Sequence, residues 1–162
     1  MDGMTAFCAY INRIGMLSEE DRRKYFEDLI NRYKKLPKKD RRPYYKSIIR
    51  ETTESSIILT IWTPGGCTMP HEHGGSEAVI RVLYGDLAQE LFAVWEEGYE
   101  VLERNEYSAG EEIVEDPSSV HKIGNKSLRK WAVSLHLFEP QLLEMEVYNF
   151  EENWRCKVGG GE

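Results

Sequence analysis

Apolar residues recur with two different periods along this chain, and the switch falls near Pro43. Before it, Phe26, Leu29, Ile30, Tyr33 and Leu36 stand three and four residues apart, the spacing that lines one face of a helix. Ser18 opens the stretch, Glu19, Glu20 and Asp21 follow it, and Pro37 closes it. A capping serine, carboxylates in the first turn and a terminating proline predict one amphipathic helix over residues 18–36. The basic side chains between Lys34 and Arg42 then read as a solvated helix end, where cations are favoured, rather than as a site for an anionic partner.

After Pro43 the runs are short, rich in Ile, Val, Leu and aromatics, and punctuated by Gly, Pro, Asn and Asp. They predict strands over Tyr44–Arg50, Ile57–Trp62, Ala78–Tyr84, Leu87–Trp95 and Tyr99–Asn105. Further strands are expected over Glu112–Val114, Val120–Gly124, Trp131–Phe138 and Glu144–Phe150. Gly85-Asp86 and Glu97-Gly98 have the composition of hairpin turns. This density of short strands predicts an all-β sandwich or barrel over residues 43–150. Residues 1–42 form a small helical N-terminal cap and 151–162 a C-terminal tail, all within one domain.

Composition narrows the function classes. The 162 residues are 41% hydrophobic, enough for one real core, and 28 acidic against 21 basic side chains give a net charge of -7. That balance opposes nucleic-acid binding, which needs clustered Lys and Arg on phosphates. No apolar run approaches the ~20 residues that span a bilayer, so no membrane association is expected. Met1-Asp2-Gly3-Met4 lacks the features of a secretory signal, and the three cysteines (Cys8, Cys67 and Cys156) do not form a disulfide framework. A cytoplasmic protein with reduced thiols is the expectation.

Chemistry concentrates on four histidines, His71, His73, His121 and His136, all in the strand-rich part. Histidines at i and i+2 on a strand face the same side, and a third imidazole from another strand can complete one face of a metal site. A lone His-x-His also has the plain reading of core or surface histidines.

The surrounding residues are more specific. Gly65 leads to His71-Glu72-His73, a Gly-Gly turn and a run ending at Gly85; Gly110 leads through Asp116 and Ser118 to His121 and Asn125. These segments resemble the two metal motifs of the cupin superfamily, the double-stranded β-helix (jelly-roll) barrels. Where that pattern carries a glutamate ligand this chain has Ala78, and the neighbouring Glu77 belongs to the opposite strand face. Asp116 and Ser118 replace the usual Pro and Gly. Trp131-Ala132-Val133-Ser134-Leu135-His136-Leu137-Phe138 looks like the Val-Ser-Leu-His-Leu-Tyr signature of the cysteine dioxygenase family. Pro70-His71-Glu72-His73-Gly74-Gly75-Ser76 is similar to that family's His-Asp-His loop, and Val120–Asn125 to its third-ligand segment. The likeness runs through roughly residues 44–140.

The resemblance implies a mononuclear non-haem iron(II) enzyme with His71, His73 and His121 as ligands, inserting both atoms of O2 into a small thiol to give a sulfinate. A monomer is expected, with the thiol and O2 as its partners. The physical chemistry agrees: three neutral imidazoles leave the charge of Fe(II) uncompensated, which favours a thiolate ligand, and the remaining coordination positions bring sulfur and O2 together.

In the family, Ser134 and His136 would belong to a Ser-His-Tyr hydrogen-bond chain, but the tyrosine position is Phe138. His136 otherwise reads as a satisfied core histidine. The position that carries a thioether-forming cysteine in animal members is Ala78, so no crosslink to residue 138 can form. The family's carboxylate-binding arginine is replaced by Lys46, a point charge without a bidentate fork. Arg50, four residues on, is expected on the same strand face as Lys46; each is either a substrate contact or a solvated edge residue. These changes make L-cysteine an unfavoured substrate and point to another small thiol, a mercapto-acid or an amine thiol. Two alternatives remain open: a three-histidine cupin dioxygenase acting on a non-thiol such as a diketone, and a non-catalytic metal-binding cupin.

Overall fold

The computed structural model describes residues 1–159. Two helices precede the strands: α1, Gly3–Gly15, and α2, Glu19–Lys34. Asp2 caps α1 by accepting from the Thr5 amide at 2.7 Å, and Ser18 caps α2 by accepting from Asp21 N at 3.1 Å. The sequence pattern predicted α2; α1, with Phe7, Tyr10 and Ile14 on its buried face, was not separately expected.

Eleven strands follow among the described residues. They are β1 Tyr44–Glu51, β2 Ser56–Trp62, β3 His71–Glu72, β4 Glu77–Tyr84, β5 Asp86–Trp95 and β6 Gly98–Ser108. The remainder are β7 Glu112–Glu115, β8 Val120–Gly124, β9 Ala132–Glu139, β10 Glu144–Asn149 and β11 Trp154–Gly159. All pairings are antiparallel, in one sheet ordered β1-β2-β9-β4-β7 and another ordered β11-β10-β3-β8-β5-β6.

Strand parity explains how the helical cap leaves the other sheet face free for chemistry. On β2 and β9 every residue but Glu139 is buried. Ile57, Leu59 and Ile61, with Val133, Leu135 and Leu137, pack against Phe7, Tyr10, Ile14, Phe26 and Ile30 of the helices. The alternate residues, including Trp62, Ser134, His136 and Phe138, face the other sheet. There Trp62, Ile80 and Val82 meet Leu87 and Ile123, while Ile58, Ala78 and Phe138 meet Met145.

Three expectations are corrected. Gly85-Asp86 is not a hairpin: β4 and β5 belong to different sheets, and Gly85, at φ 76°, turns the chain from one to the other. The region read as a tail from residue 151 contains β11, paired along its length with β10; residues 160–162 lie outside the described part. Arg50 does not share the face of Lys46, because a bulge between Ile48 and Arg50 shifts the register, and its guanidinium donates to the Met1 and Asp2 carbonyls. No described helix is long and apolar enough to cross a membrane.

Candidate metal centre

β3 is only two residues long, yet it fixes two of the three predicted ligands. His71 pairs directly with His121 of β8, and such cross-strand partners send their side chains to the same side. His73 follows β3, before a turn in which Gly74 and Gly75 adopt φ of 56° and 95°. A Cβ on Gly74 would stand 2.4 Å from the Glu144 carbonyl oxygen, so the turn needs glycine on both counts. The three rings are 4.5–4.9 Å apart, centroid to centroid, and one ligand nitrogen from each lies within 4.8 Å of the others.

Hydrogen bonding sets the tautomers. His71 Nδ1 lies 2.8 Å from the Met69 carbonyl, which only accepts, so the ring proton sits on Nδ1. His121 Nδ1 lies 2.8 Å from Gln89 Oε1, again an acceptor, and also against Glu115 Oε1. Both Nε2 atoms are therefore lone pairs, yet they approach to 3.0 Å. Two lone pairs at that distance repel unless a cation lies before them. Burial holds His71 and His121 down to about 3, and His73 also well below the ordinary imidazole range, so all three are neutral imidazoles at physiological pH. The donor set fits a transition-metal dication held by three imidazoles with open positions.

A cavity of about 270 Å³ opens beside the histidines. Ile58, Phe138, Met145, Val147 and Val158 give it an apolar wall; Tyr44, Thr60 and Thr68 add hydroxyls, and Lys46 adds a cation. His136 lines it as well. Trp62 Nε1 donates to Ser134 Oγ at 2.8 Å, and Ser134 Oγ lies 2.7 Å from His136 Nε2. An indole N–H only donates, so Ser134 accepts from Trp62; its own proton is free for His136 Nε2, an arrangement that would place the ring proton of His136 on Nδ1. Burial keeps His136 neutral, with its pKa near 3.

Of the other residues singled out from the sequence, Lys46 lies on the cavity wall and Arg50 outside it. Ala78 is fully buried behind Phe138 and is not part of the lining, because β4–β9 register places it directly across from that ring. Asn125 holds its turn, donating to the Thr63 and Lys130 carbonyls. Sequence reasoning missed Glu115 and Gln89 and gave Trp62 no role beyond ending a strand. Glu115 had a detectable signal: in Ile113-Val114-Glu115 it shares the inward parity of Ile113, an unusual place for a carboxylate.

Two antiparallel sheets closing over three convergent histidines define a metal-site barrel of the cupin, double-stranded β-helix class. A Klebsiella pneumoniae protein with a double-stranded β-helix domain superposes with a TM-score of 0.53 at 15% identity, over 76% of this chain and 89% of its own. A protein from Thermus thermophilus gives 0.53 at 20% identity, over 67% and 93%. A cupin family protein from Methanocaldococcus jannaschii gives 0.50 at 15%, over 65% and 87%. These likenesses establish the fold. The family model described as cysteine dioxygenase type I matches residues 23–151, and the chain belongs to that family. Human cysteine dioxygenase type 1 is 27% identical over 108 residues, and the rat protein 26%. Each alignment covers 64% of this chain and 54% of the relative, so the chain spans about half the length of the curated relatives it matches.

Proposed function

We propose that this chain is a thiol dioxygenase that converts a small mercapto-acid and O2 to the corresponding sulfinate, RSH + O2 → RSO2⁻ + H⁺. The observation that carries the reading is the triangle of neutral imidazoles at one end of a small cavity whose wall bears Lys46. His71, His73 and His121 would hold Fe(II). When bound, that ion supplies redox activity toward O2 and the acidity that keeps a thiol deprotonated.

The protein's own residues would do the rest. Lys46 attracts an anionic end of the substrate, and His136 offers the Nδ1–H left over once Ser134 occupies its Nε2. With Phe138 bringing no hydroxyl, that imidazole N–H stands in as the donor at the end of the Trp62–Ser134–His136 chain. The apolar wall excludes water and suits a short methylene body. No Asp or Glu is among the described lining residues, so the cavity has no carboxylate partner for an ammonium group. That favours a mercapto-acid over an amine thiol and leaves the ammonium of cysteine desolvated and unpaired.

The test is O2 uptake by the Fe(II)-loaded protein across mercapto-acids, amine thiols, L-cysteine and an enolisable diketone, with sulfinate identified by mass spectrometry. The reading predicts sulfinate from a mercapto-acid as the fastest reaction. Uptake with the diketone alone would replace it with a non-thiol dioxygenase; metal binding without uptake on any substrate would leave a binding protein.

A further inference from the structure

We infer that Glu115 is a positioning residue of the metal centre, its carboxylate bridging the Nδ1 sides of His73 and His121 so that both rings present Nε2 to the ion. The inference rests on the metal reading above and concerns a side chain that is not itself one of the three ligands.

Glu115 ends β7, which runs antiparallel to β4 with Glu115 directly across from Ala78. Cross-strand partners face the same side, so the carboxylate enters the barrel and is only 4% exposed. Its Oε1 lies against His121 Nδ1 and its Oε2 is 3.8 Å from His73 Nδ1. Among the described residues, His73 Nδ1 and both carboxylate oxygens lack a well-formed hydrogen bond. Buried polar atoms without partners are strongly disfavoured, and these three are one another's neighbours. A closer approach of His73 Nδ1 to Glu115 Oε2 would satisfy the outstanding pair. Met69 serves the same purpose for His71 with its carbonyl, which gives every ligand imidazole an acceptor behind it.

The same register explains Ala78. Carboxylates at both positions of the 78/115 cross-strand pair would face the same side and repel. A methyl group at 78 leaves space for the Glu115 side chain. The carboxyl group absent from residue 78 is thus present one layer out, where, ionised beside a bound dication, it would raise the basicity of two imidazoles without taking a coordination position from substrate. Gln89, 2.8 Å from His121 Nδ1, supplies a second, neutral acceptor to that ring, so His73 depends on Glu115 more than His121 does.

The experiment measures Co²⁺ affinity of the whole chain by competition titration. Glu115→Gln keeps the shape and removes the ionisable carboxyl; it should weaken Co²⁺ binding ten- to a hundred-fold while the metal-free circular dichroism stays unchanged. Adding Gln89→Glu to that variant returns a carboxylate to His121 from a different strand and should recover part of the loss. Binding by Glu115→Gln within twofold of the unmodified chain, or no recovery in the double variant, overturns the inference. Should Glu115→Gln not fold, the unmodified Co²⁺-loaded chain decides: paramagnetically shifted exchangeable Nδ1–H signals from His73 and His121 are expected, and their absence refutes it. Failure of the unmodified chain to bind Co²⁺ removes the metal reading and this inference with it; binding without a Glu115 effect removes this inference alone.

Discussion

Replacing Lys46 by methionine separates charge from packing at the cavity wall. Lys46 sits on β1 opposite Thr60 of β2, with Nζ 5.9 Å from the centroid of the Tyr44 ring. Burial lowers its pKa from the ordinary lysine value. Methionine keeps most of the stem's length and apolar contact but removes the ammonium. Opposite charges about 4 Å apart attract by about 4 kcal/mol at an effective dielectric of ~20. Desolvation of both groups takes back part, leaving the ~1.5–3 kcal/mol typical of a hydrogen bond to a charged group. At about 2 kcal/mol, kcat/KM for a mercapto-acid should fall roughly 30-fold. A neutral thiol of the same length should change by less than about twofold, since it uses only the apolar wall. Oxygen uptake with parallel sulfinate quantification, run on both thiols, is the assay. Equal losses on the two thiols would show that Lys46 acts through packing, and no loss on either that the anion is held elsewhere. Because the charged form binds, the KM for the acid should also rise on the alkaline side, beginning below the ordinary lysine pKa of 10.5.

Replacing His73 by alanine should abolish most Co²⁺ or Fe(II) uptake, measured by metal analysis after desalting, while far-ultraviolet circular dichroism is retained. Lys46→Arg with Phe138→Tyr restores a guanidinium fork and a hydroxyl, and should shift the kcat/KM ratio toward L-cysteine by at least tenfold; an unchanged ratio would mean that other residues set the preference. Stability of the metal-free chain should depend on pH in a direction set by its buried groups. His71, His121 and His136 titrate near 3 when folded against 6.5 unfolded, so the unfolded chain binds more protons between those values. Each imidazole then removes about 1.4 kcal/mol per pH unit as pH falls through that window. Glu115, raised by burial to about 8 from 4.5, acts oppositely, and its stabilising proton is lost as pH rises toward 8. The thermal midpoint should peak near neutrality; a flat profile between pH 7 and 5 would contradict the buried neutral histidines.

Nine of the eleven described strands were legible because each carries its own period and its own punctuation, independent of its neighbours. β3 was not, since two residues held in place by β8 and β10 have no pattern of their own. β11 escaped for a different reason: Trp154, Arg155, Cys156 and Lys157 are all exposed, so its partner β10 rather than a buried face defines it. Val158 nonetheless reaches the cavity wall. Arg50 misled because strand alternation is reliable only until a bulge, and the bulge at Ile48/Arg50 leaves no mark in the residues themselves. Gly85-Asp86 shows the same limit, since a tight-turn composition does not reveal whether the next strand folds back or crosses to the other sheet.

At the site, the residues legible from sequence are those whose spacing along one continuous segment does the chemical work: His71 with His73, and Ser134 with His136. Residues that act across strands depend on register, and register is a property of two segments at once. Trp62 reaches Ser134 because β2 lies beside β9 with Thr60 opposite Ser134 and Trp62 opposite Ala132. Its indole therefore arrives diagonally, one side chain along, with the N–H aimed at the hydroxyl. Glu115 meets the histidines only because β7 pairs with β4 at Ala78. A shift of one residue in either ladder would send the indole or the carboxylate to the opposite face of the sheet. Three histidines can thus be found in the sequence, whereas the acceptors that fix their tautomers become visible only when the strands that carry them are paired.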